Sequence, residues 1–242
     1  MAVKTVEYNH NSFEIAYDII NPSCEETIVF LHGWGSNKEI MKQAFSSTLK
    51  QFKHIYIDMP GFGKSANDKV LTTQDYAKIM ALFLEKLSSI PVIQLNIAGH
   101  SFGGKVATLL NPKNLILLST AGILEEKPLS VKLKIKLAKF LNLFGLGKLT
   151  KAFRSKDVNE MNQGMYETFK NVVNEDFTQA FQNYKGKAYI FWGKEDTATS
   201  LKSGEQIHSL IQNSELVSYN GDHYFFIKNA HDITQRLENG IL

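Results

Sequence analysis

The sequence predicts an α/β protein, a mostly parallel sheet covered by helices on both faces and interrupted once by a helical insertion. Three observations carry this. Short, continuous apolar runs, among them ETIVFLH (26–32), NLILLS (114–119) and KAYIFWG (187–193), read as strands buried on both faces. Stretches of helical spacing separate most of these runs, the alternation expected of a parallel sheet. Between Gly122 and Gly186 the alternation stops and only helical spacing is left. A chain of 242 residues has room for one such domain with its insertion.

In order, the chain opens with a hairpin, Val3 to Tyr8, a polar turn at Asn9-His10-Asn11, then Ser12 to Ile19. ETIVFLH follows Asn21-Pro22, and Lys38 to Lys50 has helical spacing. The strand HIYID (54–58) runs into the glycine-rich loop PGFGKS, and a helix is expected from Thr73 to Leu87. A strand from Val92 to Ala98 meets a short helix, Ser101 to Leu110, which Asn111-Pro112 stops. NLILLS comes next. After the insertion the pattern resumes with KAYIFWG, a helix over Leu201 to Ile211, the strand SELVSY (214–219) and a final helix. The organisation expected is a core of residues 1–122 and 186–242, with a helical cap at 123–185.

Composition narrows the function classes. The chain is 43% hydrophobic and 21% charged with a formal net charge of +3, an ordinary globular balance that does not point to nucleic acid. The longest mostly apolar stretch, Leu115 to Leu124, is broken by Ser119 and Thr120 and is far shorter than the roughly 20 residues of a membrane span. The first residues carry no apolar stretch resembling a signal peptide. A single cysteine, Cys24, excludes an intrachain disulfide and favours a reduced, cytoplasmic setting.

The chemistry gathers around IQLNIAGHSFGGKVA (93–107), where a buried strand turns into a helix at Gly99-His100-Ser101-Phe102-Gly103. A Gly-x-Ser-x-Gly corner holds its serine in a strained backbone conformation with Oγ projecting above the sheet, and the glycines let strand and helix approach closely. A serine nucleophile needs a base, and the base an orienting acid. Of seven histidines, His223 follows the strand SELVSY in the polar loop Asn220-Gly221-Asp222, at the carboxyl end of a strand where open α/β sheets place their sites. The loop after KAYIFWG offers Glu195 and Asp196 as the acid. Asp222 adjoins His223, where a side chain seldom reaches its neighbour's ring nitrogen. Asp196 is therefore the better choice, in another strand-end loop and in the chain order expected, Ser101, Asp196, His223, with Glu195 as competitor. The backbone N–H groups of Trp34, in HGWG (32–35), and of Phe102 are the expected oxyanion donors.

Other chemistries are not supported. Asp58-Met-Pro-Gly-Phe-Gly-Lys-Ser65 ends like a phosphate-binding loop, but aspartate stands at position 58 where that motif needs glycine, and Pro60 removes an amide. Asp58 is expected to cap the turn's amides instead. The histidines lack paired ligand spacing, and no G-x-G-x-x-G opens a helix, so neither a metal nor a dinucleotide cofactor is expected.

HGWG, DMPGFGKS (58–65), GHSFGG (99–104), WGKED (192–196) and GDH (221–223), in this order and spacing, resemble the α/β-hydrolase fold superfamily almost end to end. The resemblance implies a mostly parallel eight-stranded sheet with a cap inserted after the sixth strand. It also implies Ser101 as nucleophile, Asp196 as acid and His223 as base, with no cofactor. Where the family often has glycine before the histidine, this chain has Asp222. A serine at the elbow separates the chain from the branches that use aspartate there. The function expected is hydrolysis of a small to medium carboxylic ester through an acyl-enzyme. Carbon–carbon bond hydrolysis, lactonase or thioesterase activity with the same triad is the enzymatic alternative, and a ligand-binding protein on the same scaffold the non-enzymatic one.

Between Lys127 and Lys156 lie nine basic residues and no acidic one. Lys132, Lys136 and Lys139 oppose a stripe of Leu133, Leu137, Phe140, Leu141 and Phe144, as in an amphipathic cap helix. The lysines either face water or recruit an anionic partner such as an acyl carrier protein or a lipid surface. Downstream, Met161, Met165, Tyr166, Phe169, Phe177 and Phe181 suit an apolar acyl pocket or packing of cap on core equally.

Overall fold

The structure, a computed structural model, describes residues 1–88, 90–125 and 162–241. The basic stretch Lys127–Lys156 and Met161 therefore lie outside the described residues. Eight strands form one sheet, β1 (Ala2–Tyr8), β2 (Asn11–Ile20), β3 (Thr27–Leu31), β4 (Lys53–Ile57), β5 (Asn96–His100), β6 (Asn114–Leu118), β7 (Lys187–Gly193) and β8 (Ser214–Tyr219), in the order β1-β2-β4-β3-β5-β6-β7-β8. The β1–β2 hairpin pairs antiparallel and joins β4 antiparallel; every other pairing is parallel. This is the α/β-hydrolase fold.

The helices are α1 (Lys38–Phe45), α2 (Thr73–Leu87), α3 (Phe102–Leu110), α4 (Gln163–Val172), α5 (Thr178–Asn183), α6 (Leu201–Leu210) and α7 (Phe226–Ile241). Strand pleating divides the core in two. Val29, Leu31, Ile55, Ile57 and Ile97 face Phe83 of α2, Val106 of α3 and Ile207 of α6. Ile28, Phe30, Tyr56, Ile116 and Phe191 face Met41 and Phe45 of α1 and Phe226 and Ile233 of α7. All five residues of β3 are buried, which is why its sequence is a continuous apolar run.

Two boundaries differ from expectation. Residues Val92–Gln94 form a short 3-10 turn rather than the start of a strand, because Pro91 sets the turn and its carbonyl accepts from Gln94 N at 2.8 Å. Helix α1 ends at Phe45, ahead of a turn in which Leu49 takes φ +46°.

Three features bring the site together. At the β5–α3 corner Ser101 has φ 52° and ψ −115°, a conformation costing about 1–3 kcal/mol that persists only under tight packing. A Cβ on Gly99 would lie 2.4 Å from the Gly103 carbonyl oxygen, and one on Gly103 would lie 2.5 Å from that of Leu31. His32, fully buried, accepts from Met59 N on Nε2 at 3.1 Å and donates from Nδ1 to its neighbour Gly33 O at 2.8 Å, tying the loop after β3 to the loop after β4. Asp58 accepts from Lys38 N (2.7 Å) and Lys64 N (3.0 Å) and meets the Lys38 ammonium at 3.3 Å, so it caps the turn as its position at the head of DMPGFGKS suggested.

Residues 172–177 pack against α3. The ammonium of buried Lys105 donates to Val172 O at 2.6 Å, pairs with Glu175 at 2.7 Å and lies 4.6 Å from the Phe177 ring centre. Burial lowers the Lys105 pKa while Glu175 opposes the shift. Met165, Phe177 and Phe181 are buried in the core, the packing alternative for these residues.

Two expectations follow. Gly103→Ala pushes a methyl into the Leu31 carbonyl and should cost about 3 kcal/mol, read as a Tm loss of roughly 6–12 °C; an unchanged Tm contradicts the close approach. Burial drives the His32 pKa down to about 4 and that of His100 to about 3, the latter with help from His223, and also lowers that of His54. These rings stay neutral in the fold and take up protons on unfolding below about pH 6.5, so stability falls as pH falls from 6.5 toward 4. The cost is on the order of a few kcal/mol. Asp18, Asp75 and Asp196 have lowered pKa values and lose their contribution only below that window. A flat Tm between pH 7 and 4.5 would contradict the neutral, buried histidines.

Candidate active site

Four loops meet at the carboxyl ends of the parallel strands: His32–Gly35 after β3, the Ser101 corner after β5, Lys194–Thr199 after β7 and Asn220–Tyr224 after β8. Each follows a strand buried or half-buried in the sheet, so each is held at its root.

The Asp196 side chain is fully buried. Its Oδ1 accepts from the amides of Ala198 (2.8 Å) and Thr199 (3.0 Å), and its Oδ2 takes His223 Nδ1 at 2.7 Å. The Thr199 hydroxyl lies 3.0 Å from the same Oδ2, 3.2 Å from Ser119 O and 3.5 Å from His223 Nδ1. Burial alone would raise the Asp196 pKa, but the His223 hydrogen bond and the Thr199 amide outweigh it and hold the carboxyl below its ordinary value. An ionised partner at Nδ1 keeps the imidazole proton there and leaves the Nε2 lone pair as the basic one.

Glu195, the competing acid, turns to the backbone instead, its Oε2 accepting from Gly221 N. Asp222 accepts from Tyr224 N at 2.9 Å and so shapes the loop that carries His223. The other histidines have local partners or other places. His54 bonds Tyr56 OH and Leu49 O, His208 bonds Ser214, and His10 sits in the β1–β2 turn.

Ser101 is half-buried at its corner, with its backbone carbonyl accepting from the Thr120 hydroxyl and from the amides of Gly104 and Ala121, each at 3.1 Å. The His223 ring lies 4.6 Å from that of His100, the residue before Ser101. On the other side a Cβ on Gly33 would sit 3.2 Å from Ser101 Cβ, so the HGWG loop borders the serine directly. The Trp34 ring packs edge-on to Phe102 at 5.5 Å and to Phe62 at 4.9 Å, and leans on Phe169 of α4 at 5.4 Å. Phe102 opens α3, where a helix leaves its first amides without intrahelical acceptors. The structure thus brings Asp196 and His223 into contact and sets both His223 and the Trp34 loop against the Ser101 corner.

Sequence reasoning missed Thr199, His100 and Lys105. Thr199 had a local signal, a threonine three residues after an aspartate that caps a turn. Lys105 had none, because its partner Glu175 lies seventy positions away. Among the described residues no group of three or more His, Cys, Asp or Glu side chains is placed to hold a metal ion, and no helix is long and apolar enough to cross a membrane.

Residues 26–145 match the alpha/beta hydrolase fold family. The chain is 24% identical over 229 residues to the uncharacterized hydrolase YugF of Bacillus subtilis, covering 82% of each chain. It is 32% identical over 96 residues to a pimeloyl-[acyl-carrier protein] methyl ester esterase of Proteus mirabilis, a match spanning 38% of this chain and 34% of that protein. Among solved structures, a thermophilic esterase from Thermogutta terrifontis superposes with a TM-score of 0.74 at 17% identity, over 100% of this chain and 98% of the other. The enol-lactonase of Burkholderia xenovorans gives 0.75 at 17% identity, over 98% and 99%. The sheet order and these structures show that the chain has the α/β-hydrolase fold, and the match to the alpha/beta hydrolase fold family covers residues 26–145.

Proposed function

We propose that the chain is a serine hydrolase that cleaves a small to medium carboxylic ester through an acyl-enzyme. The observation that carries this is the 2.7 Å Asp196–His223 pair, held against the strained Ser101 corner. Ser101 Oγ attacks the ester carbonyl carbon while His223 Nε2 takes its proton, and Asp196 steadies the imidazolium that forms. The backbone amides of Trp34 and Phe102 receive the developing oxyanion. As the tetrahedral intermediate collapses, its bond to the alkoxy oxygen breaks and His223 returns the proton to the departing alcohol. His223 then deprotonates a water, which attacks the acyl carbon, and a second collapse releases the acid and restores Ser101. No cofactor enters these steps.

Residues 123–185 are one inserted unit in this reading, a cap whose described second half leans on α3 through Lys105 and on the site through Phe169. An ester carried on an acidic acyl carrier is the substrate class that the Lys127–Lys156 stretch suits by charge, and one relative is named for such a substrate. A reduced, cytoplasmic setting suits a chain whose single cysteine is Cys24.

The test is hydrolysis of a p-nitrophenyl ester series from acetate to dodecanoate. Ser101→Ala should abolish turnover, and Asp196→Asn should lower kcat by about 10⁴-fold while leaving the fold intact. Glu195→Gln should stay within about tenfold, since its carboxylate only holds a loop amide. Wild type with no serine-dependent turnover on any ester would end the esterase reading and move the search to carbon–carbon bonds and to ligand binding. For the carrier, added salt should weaken turnover of a carrier-linked ester more than that of a p-nitrophenyl ester. Replacing Lys132, Lys136 and Lys139 by glutamine should remove that difference, and a salt-independent rate would refute it.

A further inference from the structure

His100 is 1% exposed, in the residue before Ser101, and the mechanism above gives it no task. Its Nε2 lies 3.0 Å from the backbone carbonyl oxygen of His223. A carbonyl only accepts, so this nitrogen carries the proton and donates. The ring is walled in by His223 at 4.6 Å, Phe226 at 4.9 Å and Tyr224 at 5.1 Å, and its Nδ1 faces Gly33, whose Cβ would lie 2.9 Å away. That Nδ1 is buried without a hydrogen-bond partner.

Packing alone does not call for this. A phenylalanine would fill the same space without burying two ring nitrogens, one of them unpartnered, at a cost in stability. What histidine adds is one directed N–H aimed at the main chain of the residue read here as the base.

We propose that His100 is a positioning residue for the base. Through the Nε2–H bond to the His223 carbonyl it sets the height of the β8–α7 loop relative to Ser101, so that His223 meets the serine hydroxyl rather than standing above or beside it. Asp196 fixes the imidazole from its Nδ1 side, and His100 fixes the backbone from which the imidazole hangs. The inference rests on the serine-hydrolase reading of the same site. The His223 carbonyl fixes the proton on Nε2, and burial first and His223 second keep the His100 ring neutral, with a pKa of about 3, so Nδ1 stays unprotonated at working pH. The ionisable groups that act on it are His223, Asp196 and His32.

Three variants separate positioning from packing. His100→Phe keeps a ring of similar size and removes the donor. His100→Gln can place an amide N–H near the position of Nε2, whereas His100→Asn is too short to do so. With a p-nitrophenyl ester that wild type turns over, His100→Phe should lower kcat by about 10- to 100-fold with KM within about twofold, the size of loss expected when a reacting group is misplaced by about an ångström. His100→Gln should recover most of that loss, and His100→Asn should not. The rate at which a fluorophosphonate labels Ser101 should fall in the same order.

A folded His100→Phe with wild-type kcat overturns the proposal. So does a loss that glutamine and asparagine share equally, which would mark a structural role. If His100→Phe does not fold, the glutamine–asparagine comparison alone decides between these outcomes. Wild type that neither turns over an ester nor labels at Ser101 overturns the hydrolase reading instead, and this inference falls with it. Labelled, active wild type beside an unimpaired His100→Phe overturns only the positioning role.

Discussion

Everything at the carboxyl edge of this sheet depends on how closely α3 approaches β5 and β3. The space at Gly99 and Gly103 is occupied by backbone, with the Gly103 and Leu31 carbonyl oxygens 2.4 and 2.5 Å from where a methyl would stand. That closeness keeps Ser101 at φ 52°, since a looser corner could relax into an ordinary helix start. It also puts Phe102 at the first turn of α3 beside Trp34, which brings two loops distant in sequence into one ring contact of 5.5 Å. The strain at one serine and the contact between the Trp34 and Phe102 rings are consequences of a single packing constraint.

The loops around that corner are held by buried polar groups rather than by apolar contact alone. His32 joins the β3 and β4 loops, and Asp58 binds the amides of Lys38 and Lys64. Asp196 collects the amides of Ala198 and Thr199, Glu195 takes that of Gly221, and His100 reaches the carbonyl of His223. Each bond ties side chain to main chain, so each restrains a loop's path as well as a rotamer. A site that stabilises charge developing on a substrate oxygen gains most when its donors need no rearrangement at the moment of reaction, and a set of pinned loops meets that condition.

What was legible in the sequence divides along the same line. The strands could be read because burial on both faces leaves a continuous apolar run, as in β3 and β6, and the elbow because its glycines mark a backbone crossing. Chain order does not separate Asp196 from its neighbour Glu195; in the structure the difference is that Glu195 points to Gly221 N and Asp196 to His223. His100 read only as a neighbour of the serine, because its partner is a backbone carbonyl and a carbonyl has no sequence signature. Lys105 sits in GHSFGGKVA where a lysine one turn into a helix reads as exposed; only the return of residues 172–177 buries it. The start of β5 was misplaced for a local reason, the turn that Pro91 imposes on an apolar run.

The seven histidines show why residue type alone does not identify a base. Imidazole is suited to general-base chemistry near neutral pH only if a lone pair is both basic and accessible. His32 and His100 are deeply buried and held neutral far below that range, and each spends its protonated nitrogen on a carbonyl. His54 is enclosed between Tyr56 and Leu49. His223 differs in having a carboxylate on Nδ1, a partly exposed ring and a neighbour one residue from the strained serine. Its identity as the best candidate comes from that combination, which three separate loops must supply together. The same combination explains why a second, non-titrating histidine beside it is useful: a ring that never charges can hold the base's backbone without competing for its proton.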